Sequence, residues 1–151
     1  MRAAAMLSAA TSYKSPLFEM VQTTPTCLWN DSADPEELAY SIEHGAVGAT
    51  CNPVIALTVL RKHMPQWRER VEAWMRQYPS ASEDELGRTV VEAISAAGAA
   101  LLEPAFRAHH GRNGRLSIQT DPRFYRDAEA IVEQAVAFSR LAPNMIVKIP
   151  A

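Results

Sequence analysis

The sequence predicts an α/β protein built on a parallel sheet, and two observations lead to this prediction. Short apolar segments with strand character alternate with longer helical segments along the chain. Helix-start signals follow directly after the first two of these segments, so each strand leads straight into a helix. The predicted strands cover residues 27–31, 47–51, 116–119 and 144–151. This alternation is typical of a (β/α)8 barrel or of an open doubly wound sheet.

The helices are predicted from capping residues and apolar periodicity. Residues 1–14 have no usable periodicity and are expected to form a flexible tail, followed by a short helix over 15–21. Asp34 is predicted to cap the helix after the first strand, with Pro35 at its first position. Gly45 stands where a helix-terminating glycine is expected. Further helices are predicted after Asn52 and over residues 65–78, 82–107 and 127–141.

The helix predicted over 82–107 is the longest. It begins with the capping box Ser82-x-x-Glu85. Its apolar stripe is predicted to run through Val90, Ile94, Ala97, Leu101 and Ala105.

The barrel is favoured over the doubly wound sheet, because no glycine-rich phosphate loop follows the first strand. A closed barrel of this type has eight strands and about 250 residues, whereas this chain has 151 residues and four predicted strands. The residues thus favour a tail over 1–14 followed by the first four β/α units of a (β/α)8 barrel of the TIM type, with the doubly wound sheet as the alternative.

Charge and composition indicate a cytoplasmic protein with small soluble partners. The net charge of −2 gives no basic surface for nucleic acid, and no basic amphipathic segment suggests a membrane surface. The first ten residues contain one charge and a short, mostly alanine core, which makes a poor signal peptide.

Cysteine and histidine usage gives no sign of a metal centre. Cys27 and Cys51 fall in strand-like segments without metal-ligand spacing, so both are expected to be buried and reduced. The pair His109-His110 lies in a polar loop, and His44 and His63 fall near helix ends. We expect neither a metal ion nor an organic cofactor.

Four polar residues mark the carboxyl ends of the predicted strands: Asp31, Asn52, Gln119 and Lys148. In a parallel barrel, this end carries the active site. Each residue also has a structural interpretation. Asp31 can start a turn, Asn52 can cap a helix, Gln119 can be an internal hydrogen-bonding residue, and Lys148 can extend into water.

Lys148 interrupts an otherwise apolar strand and is the candidate nucleophile. Alternation puts it on one side with Ile146 and Pro150, while Met145, Val147 and Ile149 form an apolar packing side. Burial inside a barrel favours the neutral form of a lysine amine, which is the nucleophilic form.

Four segments together resemble the N-terminal half of a transaldolase, a Schiff-base aldolase on a (β/α)8 barrel. In order, they are Leu28-Trp-Asn-Asp-Ser-Ala-Asp34, Gly45-Ala-Val-Gly-Ala-Thr-Cys-Asn-Pro53, Leu116-Ser-Ile-Gln-Thr-Asp-Pro-Arg123 and Asn144-Met-Ile-Val-Lys-Ile-Pro-Ala151. The likeness covers roughly residues 15–151. The long helical insertion before the third strand resembles the longer bacterial transaldolases.

The resemblance implies a role for each polar residue. Lys148 is expected to form the Schiff base and Asp31 to act as acid and base on the substrate C4 hydroxyl. Asn52 is expected to bind the dihydroxyacetone unit. Thr50 and Ser117 lie in the matching segments and are further candidates for substrate binding. The implied reaction is transfer of a dihydroxyacetone unit between sugar phosphates, in the pentose phosphate pathway.

Gln119 departs from the family pattern, because most transaldolases have glutamate there and the short fructose-6-phosphate aldolases have glutamine. An amide cannot accept a proton as a carboxylate does. Two alternatives therefore remain open: an aldolase that releases dihydroxyacetone, and a non-catalytic half-barrel that self-associates through its open edges.

Overall fold

A computed structural model describes residues 14–150 and contains one parallel sheet with helices packed against it. The expected tail therefore lies outside the described residues, except for Lys14. The strands are β1 (Leu28–Asn30), β2 (Ala46–Cys51), β3 (Arg115–Gln119) and β4 (Met145–Lys148). The helices are α1 (Pro16–Thr23), α2 (Pro35–Glu43), α3 (Pro53–Lys62), α4 (Met64–Gln77), α5 (Glu83–Ala108) and α6 (Ala128–Ser139), with a 3-10 turn at Pro122–Phe124.

The four strands lie side by side in chain order, β1-β2-β3-β4, and every pairing is parallel. This order is that of a (β/α)8 barrel, since a doubly wound sheet reverses its strand order at a switch point. The predicted fold class, the first four β/α units of a barrel, is confirmed.

The helix caps form as the sequence predicts. The Asp34 side chain accepts hydrogen bonds from two backbone amides at the start of α2, and Ser82 and Glu85 complete the capping box of α5. Gly45 follows α2 with a φ of +95°, in the region that favours glycine. Local chemistry thus decides where these helices begin and end.

One face of the sheet packs against α5 and forms the core. Leu116 and Ile118 of β3 are fully buried there, with Ala49 of β2 and Met145 of β4. Gly98 allows the close approach of α5, because a Cβ at that position would lie only 2.7 Å from Leu116 Cδ1. The core therefore lies between the sheet and α5.

The predicted apolar stripe of α5 is wrong in its second half. Val90 and Ile94 are buried as expected, but Ala97 and Leu101 are exposed. The buried face instead continues in steps of four residues to Gly98 and Leu102. Small residues populate both faces of this segment, so hydrophobicity alone did not identify the face that the sheet covers.

Two further predictions of burial are also wrong. Cys27 precedes β1 and is exposed, whereas Cys51 is buried as expected. Ile149 lies beyond the end of β4 and is 55% exposed, so the apolar side of this segment ends at Val147. Both residues flank a strand rather than forming part of it.

The long helix α5 also meets a simple criterion of length and apolar composition for a membrane span. Its buried residues pack on the sheet, and a core helix of a soluble protein passes the same test. The length and composition of α5 are therefore only weak evidence for membrane insertion.

Asn144 connects three parts of this core. Its side-chain Nδ2 donates to the backbone oxygens of Ala99 in α5, at 2.7 Å, and of Gly114 before β3, at 2.8 Å. The residue is 1% exposed and directly precedes β4. These bonds fix the start of β4 relative to β3 and α5, and hence fix the strand that carries Lys148.

We predict opposite effects of the same substitution at two glycines. Gly114 has a φ of +76°, and a Cβ there would lie 2.1 Å from the Phe106 nitrogen. Gly114→Ala should therefore lower the free energy of unfolding by more than about 2 kcal/mol. Gly87 is inside α5 with nothing within 4 Å of such a Cβ, so Gly87→Ala should raise it by about 0.5–1 kcal/mol.

Urea denaturation of the two variants measures both effects. Equal small effects at the two positions would contradict the packing described for the turn before β3.

Candidate active site

The parallel register brings the predicted site residues to one edge of the sheet. Thr50 pairs with Ser117, and Gln119 pairs with Lys148. Paired residues in neighbouring parallel strands point to the same face, so these four side chains share the face opposite α5. Asp31 follows β1 directly. From β1 to β4 the edge spans three strand spacings, about 14 Å measured along the sheet.

Asp31 and Thr50 are in direct contact across β1 and β2. The Thr50 hydroxyl donates to Asp31 Oδ1 at 2.5 Å. Asp31 is exposed and Thr50 is half-buried, so the carboxylate is fixed by a neighbour and still open to solvent. A carboxylate in this position can accept a proton from a bound hydroxyl group.

Asn52 caps helix α3, which is the structural role that the sequence allows for this residue. Its Oδ1 accepts hydrogen bonds from the Val54 and Ile55 amides, both at 2.9 Å, at the start of α3. These bonds use the side-chain oxygen. The Nδ2 group is the part of this side chain that can donate to a substrate, so the two roles considered for Asn52 are compatible.

Ser117 and Gln119 lie on β3 between the Asp31 side and the Lys148 side of the edge. Ser117 is buried and Gln119 is half-buried. The Lys148 side chain is exposed, so this chain does not provide the burial expected around the amine. β4 is the last strand of the described sheet and has a neighbour on one side only, which explains this exposure.

The three lysines of the chain differ in their surroundings. Lys14 pairs with Glu43, and Lys62 pairs with Asp34 and Glu36. Within residues 14–150, no carboxylate lies within ion-pair distance of Lys148, which leaves its amine available for chemistry.

Sequence reasoning missed a buried polar cluster beside Asp31. Asp34 is 3% exposed, and its Oδ2 lies 2.6 Å from His63 Nε2. Its Oδ1 accepts from Lys62 Nζ at 3.0 Å as well as from the α2 amides. Asp34 and His63 are 29 residues apart in sequence, so no local spacing reveals the contact.

Asp34 remains ionised at any ordinary pH. Burial alone would raise the pKa of this carboxyl group, but hydrogen bonds from the Glu37 amide, His63 and Lys62 lower the pKa to about 2. Asp34, Glu36 and His63 are close enough to hold a metal ion. The ammonium group of Lys62 already lies within about 3 Å of both carboxylates, and it supplies the positive charge in this cluster.

A largely apolar cavity of about 470 Å³ lies between α3, α5 and α6, next to the carboxyl edge of the sheet. Leu57, Leu60, Val90 and Phe138 form its walls, and Gln119 lies at its boundary with the sheet. The Asp121 amide donates to Gln134 Oε1 at 2.6 Å beside the cavity, which fixes the segment after β3.

Comparison with known proteins identifies the family. A model of the family described as transaldolase/fructose-6-phosphate aldolase matches residues 28–151, which is most of the chain and includes all six predicted site residues. The match begins at the first residue of β1.

Individual relatives agree with this match. Transaldolase 1 of Streptomyces avermitilis is 34% identical over 117 residues, 76% of this chain and 30% of the relative. The transaldolase of Thermobifida fusca is 32% identical over 111 residues, 72% of this chain and 29% of the relative. The alignments thus span less than a third of either relative. By its sequence and by its sheet, the chain belongs to the transaldolase/fructose-6-phosphate aldolase family.

Proposed function

We propose that this chain carries the Schiff-base half of a transaldolase active site, which transfers a dihydroxyacetone unit between sugar phosphates. The single observation that supports the proposal best is the convergence of Lys148, Gln119 and the Asp31–Thr50 pair on one sheet edge in a member of this family. The activity of the whole protein, its cytoplasmic location and its role in the pentose phosphate pathway belong to the same proposal.

In the first step, the neutral amine of Lys148 attacks the C2 carbonyl of a ketose phosphate. Loss of water gives an iminium ion bonded to Nζ. Lys148 suits this role because it lies at the carboxyl edge without a carboxylate partner among residues 14–150, unlike Lys14 and Lys62. The later strands of a complete barrel would supply the burial that the exposed amine lacks in this chain.

In the second step, Asp31 accepts the proton of the C4 hydroxyl while the C3–C4 bond breaks. The bond electrons pass to the iminium, giving an enamine, and an aldehyde leaves. The hydrogen bond from Thr50 holds the Asp31 carboxylate during this transfer. Addition of the enamine to an acceptor aldehyde reverses the same proton movements.

Gln119 supports a second candidate function, in which the dihydroxyacetone unit is released rather than transferred. It is paired with Lys148 in the sheet, so its side chain can reach a water that attacks the iminium carbon. A glutamine orients water without taking its proton. The balance between transferase and aldolase activity therefore depends on this position.

We predict that reduction with borohydride in the presence of fructose 6-phosphate traps the sugar on Lys148 of the full-length gene product. Mass spectrometry identifies the labelled lysine among the three in this chain. Lys148→Arg should abolish trapping and lower turnover by about three orders of magnitude or more, because the guanidinium is not nucleophilic. Lys14→Arg is the matched control and should keep full activity. A label on another lysine would show that the nucleophile is misassigned.

The isolated 151-residue chain should be inactive and should self-associate. Within residues 14–150, β1 and β4 each pair with one strand only, so the described sheet has two open edges. Light scattering after size exclusion measures the association. A stable monomer with transaldolase turnover would contradict this prediction, whereas a soluble inactive dimer would favour the non-catalytic alternative.

We predict that Gln119→Glu shifts the full-length gene product toward transfer. The ratio of transfer to release of free dihydroxyacetone should rise about tenfold or more, since a positioned acid–base group typically contributes about 10²–10⁴-fold. Product analysis with and without an acceptor aldehyde gives the ratio. Lys148 and Asp31 should be required in both forms. An unchanged ratio would assign Gln119 a structural role only.

A further inference from the structure

The buried Asp34 carboxylate joins the segments that carry two candidate site residues. Asp34 lies three residues after Asp31 and begins α2. His63 and Lys62, which bond to it, end the helix that Asn52 begins. One carboxylate therefore connects the segment after β1 to the far end of α3.

His63 is the decisive partner of this carboxylate. Asp34 is ionised and can only accept hydrogen bonds, so Nε2 of His63 must carry the proton and donate it. Within the described residues, this is the one hydrogen bond to Oδ2, whereas Oδ1 accepts three. The His63 side chain is only 12% exposed, while that of Lys62 is 41% exposed and also reaches Glu36.

The backbone around His63 is fixed as well. Its amide donates to the Val59 oxygen at the end of α3, and its own oxygen accepts from the Gln66 and Trp67 amides at the start of α4. Trp67 is buried in the core. The imidazole is thus attached to a rigid helix junction rather than to a loop.

The segment between Asp31 and Asp34 is too short and too strongly bonded to move independently. The Asp34 amide donates to Ser32 Oγ at 3.1 Å, and Asn30 Nδ2 donates to the Ser32 oxygen at 3.0 Å. Ala33 is 1% exposed. A displacement of Asp34 must therefore displace Asp31.

The helix α3 is held at both ends. Asn52 caps its amino end, and the Asp34 contacts hold its carboxyl end about 15 Å away, as ten residues require. Because Asp34 and Asp31 move together, the position of α3 fixes Asn52 relative to Asp31.

We propose that the His63–Asp34 pair is a brace that sets the geometry of Asp31 and Asn52, and that His63 is a positioning residue for carbon–carbon bond cleavage. This inference rests on the proposed function above. Imine formation requires Lys148 on β4, which the brace does not contact. Cleavage requires Asp31 at the C4 hydroxyl. Loss of the brace should consequently impair cleavage, while imine formation on Lys148 is spared once the sugar is concentrated enough to offset a weaker Asn52 contact.

The test uses three variants of the full-length gene product. His63→Leu removes the donor, and His63→Gln keeps an amide donor near the position of Nε2. His44→Leu is the matched control, because His44 also ends a helix but bonds to the Tyr40 oxygen of α2 and not to Asp34. If His63→Leu does not fold, His63→Asn replaces it, since its amide is one methylene too short to reach Asp34.

Three quantities are measured: borohydride trapping of dihydroxyacetone, kcat for cleavage of fructose 6-phosphate, and amide hydrogen exchange in the segments 31–37 and 52–55. We expect His63→Leu to lower kcat about 10- to 100-fold while trapping at saturating dihydroxyacetone stays within about twofold, since a misplacement of about 1 Å has an effect of this size. Exchange in both segments should rise about tenfold. His63→Gln should restore most of the activity, and His44→Leu should resemble the wild type.

Three results would overturn the brace. If kcat and hydrogen exchange are unchanged in His63→Leu, the His63–Asp34 pair does not position the site. A parallel loss of trapping, cleavage and melting temperature would reduce His63 to a general structural role. If His63→Gln is as impaired as His63→Leu, the hydrogen bond is not the cause. A wild-type protein that traps no sugar would instead refute the proposed function and with it the positioning role, and hydrogen exchange alone would then decide whether the brace exists.

Discussion

The parallel register of the four strands is the constraint on which the rest of this structure depends. It orders every strand with its carboxyl end at the same edge and directs alternate side chains to opposite faces. One face can then be largely apolar and pack on α5, while the other carries Thr50, Ser117, Gln119 and Lys148. The core and the candidate site are two sides of the same four strands.

The core and the candidate site are separated across the sheet for this reason. On the apolar face, Gly98 has no side chain, which lets α5 pack closely on Leu116. Asn144 bonds the start of β4 to α5. The polar face is partly open, and Lys148 is exposed on the last strand. We expect substitutions at the core positions to change the free energy of unfolding, and substitutions at the polar edge to change the proposed chemistry.

Local sequence signals predicted most of the fold, and the residues show why. Asp34, Ser82 and Gly45 act through neighbours within three or four residues, and their caps formed as expected. Such signals cannot determine which face of a helix is buried. Tertiary packing decides this for α5, which buries Gly98 rather than Ala97. The polar residues at the strand ends lie at one edge of the sheet, as the parallel arrangement requires. The contact of Asp34 with His63 was not predictable. The two residues are 29 apart in sequence, and a position at a helix end already accounts for each of them locally.

A crystal structure of the Asp31→Asn variant of the full-length gene product after borohydride reduction with fructose 6-phosphate would show the site directly, because this variant can form the imine but cannot take the C4 proton that cleavage releases. The proposed chemistry predicts continuous density from Lys148 Nζ to C2 of an uncleaved sugar. It also predicts a side-chain atom of residue 31 within about 2.6–3.2 Å of the C4 hydroxyl oxygen, with Thr50 still bonded to the same side chain. A sugar bonded to another lysine, or a C4 hydroxyl group directed away from residue 31, would contradict the proposed chemistry.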